Sequence, residues 1–508
     1  MNDDASSANN GAVRRSVVIV AIALAATGIA GGIAALSGAS GPPPSSVVVD
    51  ETPAPLPGET EQEMEDRLAA EHDAMLDREW PRHGLLTKTQ ITIRSAADPE
   101  STMLGWLRVG AHVRLRGEPI TTSSCATGWY EIYPRGYACA GQGIDVTDDA
   151  PAVESTIAPD LDSALPYSYW FVKEAIVPEW FQLPSRDDQR AADVFVARFQ
   201  ELRRDDAARA VRFRAGELAN EPHAPAAAAR FLDYANFVAS NGTEVRSRRR
   251  FVRTVRGTYV KEASLEQRTG SSFQGVELSG DQNLPVAWAI RPAQPMQRVE
   301  AAGVMRVLDD EALEPVERLS TVHWLRRERV GDQSYHVIET DAGERYVRDW
   351  LLAVAEPHER LPGVADDEPW VHVDLSSQTL VLYRGGTPIY ATLVSSGMEG
   401  HETPQGEFRI RRKLVSDTMA DPGSDLGDDA YRIEDVPWTQ YFEGSVALHA
   451  AFWHSQFGVV HSHGCVNLAP NDAHFVFQHT WPEVPESWHG VSTEMGTHVE
   501  GSRVLVTE

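Results

Sequence analysis

The stretch from His449 to Asn467 constrains this chain more than any other. The residues before it, Ser445-Val446-Ala447-Leu448, lean apolar and read as a strand running into a loop. The stretch closes on Ser462-His463-Gly464-Cys465-Val466-Asn467. Gly464 permits close backbone approach and dihedrals that other residues avoid. Cys465 is the only cysteine beyond Cys139. One cysteine with a histidine upstream is the minimum for thiol nucleophilic catalysis. The thiolate is the attacking form, and an imidazole favours it by taking or sharing the proton. His449 is the candidate base. The N–H groups of His463, Gly464 and Cys465 are candidates for an oxyanion hole. His449, His454, His461, His463 and Cys465 are also zinc-ligating types, but their spacing fits no standard zinc pattern. No metal or other cofactor is expected.

These residues resemble the signature of the L,D-transpeptidases, the YkuD-type enzymes of bacterial peptidoglycan. In that family an upstream His precedes Ser/Thr, any residue, Gly, Cys, a hydrophobic residue and Asn/Arg. Further family marks are Ser395-Ser396-Gly397 with Thr403-Pro404-Gln405-Gly406-Glu407-Phe408, the opening strand pair Val371–Tyr383, and Gly496-Thr497 before a Val-rich strand. The resemblance covers roughly residues 368–508. It implies that Cys465 is the nucleophile and forms a thioester. His449 is then the base, oriented by the main-chain carbonyl of Ala450. Ser462, His463 and Gly464 shape the oxyanion loop, and Asn467 orients the loop or the substrate. Trp453 and His454 are expected to line the cleft, while His461 has no assigned role. Thr403–Phe408 is expected to be structural, a turn feeding a strand. The implied reaction is acyl transfer from the L,D bond of a tetrapeptide stem to an amine. An L,D-carboxypeptidase, a protein-to-wall ligase and a silent peptidoglycan-binding scaffold are the alternatives.

A chain of 508 residues is too long for one core. Its formal net charge of −28 argues against nucleic acid as a partner. Arg14-Arg15 precede an uncharged stretch, Ser16–Leu36. As a helix that stretch spans roughly 30 Å, enough for a bilayer. Residues 1–15 are then a cytoplasmic tail and 16–36 an anchor, or alternatively a cleaved signal. Either way the bulk of the chain belongs in the cell envelope, with membrane and stem peptides as its partners. Cys125 and Cys139 bracket a strand, a Pro-Arg-Gly turn and a return strand. They are disulfide candidates in an oxidising compartment, or else two buried thiols.

The expected fold is multidomain and mainly β. Residues 37–82 are a linker, with an acidic helix over 59–79. Residues 83–150 resemble an SH3-like small β-barrel, which is either a peptidoglycan holder or a spacer. Residues 151–245 are expected to be helical, with a Ser185/Asp188 cap and a short helix or connector over Ala224–Ala229. Asn241-Gly242-Thr243 reads as a turn. Residues 246–365 form a β-rich accessory domain that opens on an arginine run, Arg246 to Arg256, read as a solvated face rather than a carboxylate site. Tyr335–Val347 reads as a second SH3-like hairpin. Residues 366–508 form the β-sandwich-like catalytic domain, with a helix after Cys465. No internal repeat stands out.

Overall fold

The computed structural model describes residues 56–150, 158–280, 283–301, 304–310, 312–420, 432–493 and 500–508. The expected tail, the apolar stretch 16–36, most of the linker and Gly496-Thr497 lie outside these residues. Among the described residues no helix is long and apolar enough to cross a membrane. The chain divides into two compact units, one ending at Arg82 and one running from His83 to Glu508. The first contains the helix Glu61–Glu79, which starts on a reciprocal Thr60/Glu63 capping box.

The second unit is mainly β. Its first module runs from His83 to Thr147 and is antiparallel, with His83–Leu86 against Ile144–Thr147 and Gln90–Arg94 against Met103–Arg108. Alternation drives it: Ile91 and Ile93 point inward from Gln90–Arg94 and join Leu107, Leu115 and Ile132 in one core. Cys125 and Cys139 are bridged, with Cα atoms 6.0 Å apart.

The second module corrects the helical reading of 151–245. Among the described residues of that range, helices occupy only Arg186–Asp205 and Ala207–Arg214. The first has the Ser185/Asp188 capping box and buries Ala192, Phe195, Phe199 and Leu202. The helices are inserted between strands Ile176–Trp180 and Ala228–Asp233, which pair antiparallel. Ala228 enters a strand because the following Phe231 and Leu232 bury there, which outweighs alanine's helical preference. Asn241-Gly242-Thr243 lies in the strand Phe237–Arg246, at a bulge rather than a turn. The arginine run faces local acids: Arg250 pairs with Glu262 at 2.7 Å and Arg256 with Glu434 at 3.4 Å.

The third module contains the hairpin Gln333–Thr340 with Gly343–Arg348. All three modules end alike, in a strand, a single 3-10 turn and a last strand. Those turns are Ala140–Gln142, Glu262–Ser264 and Asp349–Leu351. Around the second and third turns the sequence repeats as Tyr259-Val-Lys-Glu-Ala-Ser-Leu265 and Tyr346-Val-Arg-Asp-Trp-Leu-Leu352. This repeat is short, and the residues between its copies diverge, so it escapes a reading of the sequence.

The C-terminal part packs two sheets around one core. The first contains Pro369–Asp374, Thr379–Arg384 and Thr387–Leu393, with Arg503–Thr507 parallel to Pro369–Asp374. In the second, Arg412–Ala420 pairs with Arg432–Glu443, which pairs with Val446–Ala450. Val446–Ala450 then runs parallel to Val466–Leu468. Val371, Leu380 and Leu382 from the first sheet meet Val415, Leu448 and Val466 from the second. Helix Pro470–His479 follows the last of these strands. The first module extends the second sheet: Gly105 pairs with Val491 and Trp106 with Gly490, while Gly490 pairs with Leu414.

Candidate active site

Two parallel strands build the site. Leu448 pairs with Val466, His449 with Asn467, and Ala450 with Leu468. Leu448, Ala450, Val466 and Leu468 fill the inter-sheet core. By alternation, His449 and Asn467 point to the opposite face. Cys465 stands one residue before Val466, on that same outer face. It packs against Trp106, Leu414, Tyr441 and Ala447. Its Sγ lies 3.7 Å from the Ser445 carbonyl.

His449 and Cys465 both rest uncharged. His449 is 2% exposed, and burial lowers its imidazole to about 4. Its Nδ1 lies 3.2 Å from the Ala450 carbonyl. A carbonyl only accepts, so Nδ1 carries the proton and Nε2 has a free lone pair. Burial pushes the half-buried Cys465 thiol up to about 11, and a bond from the Ala447 backbone only partly offsets this. The resting pair is therefore thiol and neutral imidazole.

The turn before Cys465 is held from two sides. Gly464 has φ +114, a conformation that side chains disfavour. Its N–H donates to Ser462 Oγ at 3.1 Å, and Ser462 Oγ donates to the Cys465 carbonyl. The Gly464 N–H is thus occupied inside the turn, unlike the expectation that it aims at an oxyanion. The Thr403 hydroxyl accepts from the Gly397 N–H at 3.0 Å and donates to the Gly464 carbonyl at 2.8 Å. The His461 and Ser462 N–H groups both donate to the Ser396 carbonyl at 3.0 Å. Ser395-Ser396-Gly397 and Thr403 therefore brace the cysteine turn.

The histidines divide among different partners. The His454 Nδ1 accepts from the Gln456 N–H at 3.1 Å, which leaves the proton on its Nε2; the Asn467 side-chain amide lies 2.9 Å from that nitrogen and accepts from it with the amide turned so that Oδ1 faces the ring. Burial, with His461 and His449 nearby, lowers His454 to about 3. His461 sits edge-on to His454 at 4.9 Å, and His463 edge-on to His401 at 4.8 Å. Trp453 stacks on His449 at 5.7 Å and reaches Phe237 of the second module at 6.4 Å.

Sequence reasoning missed Trp106, Met103 and Tyr441. Tyr441 pairs with Ala447 and donates to Asp417 at 3.0 Å, and the Arg412 guanidinium lies 4.5 Å over its ring. Nothing local marks Tyr441, because Arg432–Glu443 is buried along nearly its whole length and shows no alternation. Nothing local marks Trp106. A cavity of about 670 Å3 also lies against Trp106, between Lys88–Thr92 and Gly141-Gln142. It is not lined by Cys465, His449 or Asn467.

The YkuD family, the L,D-transpeptidase catalytic domain, matches residues 368–500. That segment is a YkuD domain. It holds Cys465, His449 and the Thr403 brace together. Among solved structures, an L,D-transpeptidase mutant from Enterococcus faecium is 21% identical, with 28% of this chain and 50% of that one covered and a TM-score of 0.22. An L,D-transpeptidase from Stackebrandtia nassauensis is 25% identical, covering 28% and 57%, with a TM-score of 0.21. One from Mycobacterium smegmatis is 20% identical, covering 43% and 100%, with a TM-score of 0.23. The chain thus spans little more than half the length of the first two. TM-scores this low leave the assignment resting on the family match. No curated protein matches the chain.

Proposed function

We propose that this protein is a cell-envelope L,D-transpeptidase. The observation that carries the reading is the presence of a single free thiol and a buried neutral imidazole on one face of a YkuD domain. In this reading the Cys465 sulfur attacks the carbonyl of the third residue of a tetrapeptide stem. A C–S bond forms and the C–N bond to the terminal D-Ala breaks. Because the thiol rests protonated, its proton moves to His449 Nε2 during attack and from there to the departing amine. An acceptor amine then attacks the thioester and loses its proton through His449, which returns it to sulfur. The Ala450 carbonyl keeps the required tautomer throughout.

Asn467 and His454 hold each other and support the cleft wall, with Trp453 against the base. Modules one and three act as SH3-like supports for the domain. The apolar stretch 16–36 anchors the chain at the membrane. The Cys125–Cys139 bridge suits an oxidising compartment and leaves Cys465 as the reactive thiol.

Incubation with a defined disaccharide-tetrapeptide, followed by mass spectrometry of the products, tests the reading. A cross-linked dimer that disappears in Cys465→Ala and His449→Ala supports it. Only tripeptide, even with added amine, would point to a carboxypeptidase instead. No turnover at all, with the protein folded, would favour a binding scaffold.

A further inference from the structure

The loop that follows His449 is gripped from another module. Residues 451–458 run on from Ala450 and carry Trp453 and His454. Arg318 belongs to the third module and stands just before its strand Thr321–Val330. Its Nη2 donates to the Ser455 carbonyl at 2.5 Å and to the Phe457 carbonyl at 3.4 Å, and its Nε donates to the Ile290 carbonyl at 3.1 Å. Gly458 closes the loop at φ +86, and a Cβ there would lie 2.3 Å from Ile290 Cγ2.

The turn that presents Arg318 is strained. Leu319 has φ +69, a conformation that a bulky side chain disfavours. Its N–H donates to the Ala289 carbonyl at 2.6 Å, and the Ala289 N–H donates to the Ser320 carbonyl at 3.0 Å. The Leu319 side chain packs into the cluster that contains Phe457. Such a conformation persists only where the surroundings over-determine it.

One peptide plane joins Arg318 to His454. The Ser455 carbonyl and the Gln456 N–H belong to the same peptide unit. The oxygen accepts from Arg318, and the N–H donates to His454 Nδ1 at 3.1 Å. A cation on the oxygen polarises the plane and strengthens the N–H as a donor. Donation into Nδ1 leaves the ring proton on Nε2, 2.9 Å from the Asn467 amide. Asn467 is the strand partner of His449, and the two side chains share a face. Burial first, then His461, His449 and Arg318, hold His454 neutral, so the network sets its tautomer and not its charge.

We propose that Arg318 is a positioning residue for acylation of Cys465. Through the Ser455–Gln456 peptide it selects the tautomer of His454. That tautomer decides which end of the Asn467 amide faces the ring, beside His449. The third module thereby acts on His449 from outside the YkuD domain. This rests on the transpeptidase reading above.

Two measurements on the full chain test the proposal. One is 15N NMR of the histidine rings, with the His454 signals assigned from His454→Gln. The other is the rate of Cys465 acylation by a tetrapeptide donor, followed by intact-protein mass spectrometry. The wild type shows His454 as a single tautomer protonated on Nε2. Arg318→Met gives a mixture of tautomers at His454 and slows acylation about tenfold or more. Arg318→Gln, a milder change, moves both in the same direction, and Arg318→Lys, which keeps a cationic donor, recovers part of both. In a His454→Gln background, Arg318→Met changes the rate by less than about twofold. A folded Arg318→Met protein that keeps the wild-type tautomer or the wild-type rate overturns the proposal, as does an undiminished effect in the His454→Gln background. A wild type that forms no thioester overturns the transpeptidase reading instead, and the NMR still decides whether Arg318 sets the tautomer.

Discussion

The imidazole of His449 donates its Nδ1 proton to the carbonyl of Ala450, the next residue along its own strand, at 3.2 Å. The imidazole is thus oriented by backbone, and no side chain needs to ionise to hold it. Burial keeps it neutral down to about pH 4. Acylation of Cys465, measured as kcat/KM against pH, is therefore expected to be flat from neutral pH to about 5 and to fall only below that. A fall centred near 6.5, the ordinary histidine value, would show that His449 is not held as described.

Acid should weaken the fold. His449 is lowered to about 4, and His454 and His489 to about 3, each chiefly by burial. In the unfolded chain these groups take up protons near 6.5, so the unfolded state binds more protons below that pH. Their contribution to stability is complete above 6.5 and is lost as pH falls toward 4. Asp472 works the other way: burial raises it to about 6, so its contribution declines as pH rises through that value. His372, lowered to about 4 by burial, acts in the same direction as these histidines and against Asp472, and urea midpoints are expected to be lower at pH 5 than at pH 7. His489→Gln should reduce the difference.

Thr403→Val removes a hydroxyl that satisfies both the Gly397 N–H and the Gly464 carbonyl. Thr403 is buried, so the loss is expected to cost about 1–3 kcal/mol in urea unfolding. Because it frees the turn that carries Cys465, acylation should slow as well. Thr403→Ser keeps the hydroxyl and should restore both. A Val variant with unchanged acylation would mean that the brace does not position the cysteine.

Arg108→Met leaves Asp435 buried and unpaired at the seam between the first module and the YkuD domain. The expected loss is about 3–5 kcal/mol. Adding Asp435→Leu should recover most of it, because the cost lies in the orphaned charge. Equal stabilities of the single and double variants would assign the loss to packing instead.

How much of this is written locally in the chain varies by element. The strand into His449, the glycine turn at Cys465 and the Ser185/Asp188 cap depend on neighbours in sequence, and the residues announce them. The strands of 168–180 and 228–246 are not announced in the same way. Alanine and short aromatic runs there suit either state, and pairing partners decide. The oxyanion expectation for the Gly464 N–H fails because the Ser462 hydroxyl reaches that donor first. Trp106 and Arg108 reach the site through strand pairing with Gly490 and through Asp435, contacts that no local pattern carries.

In the proposed reaction Cys465 is acylated with the help of His449. The most direct measurement is intact-protein mass spectrometry after brief exposure to a disaccharide-tetrapeptide. An adduct on Cys465 equal to the donor minus D-Ala is expected, absent in Cys465→Ala and slowed by orders of magnitude in His449→Ala. An adduct of the same size and rate in His449→Ala, or one that persists in Cys465→Ala, would contradict it.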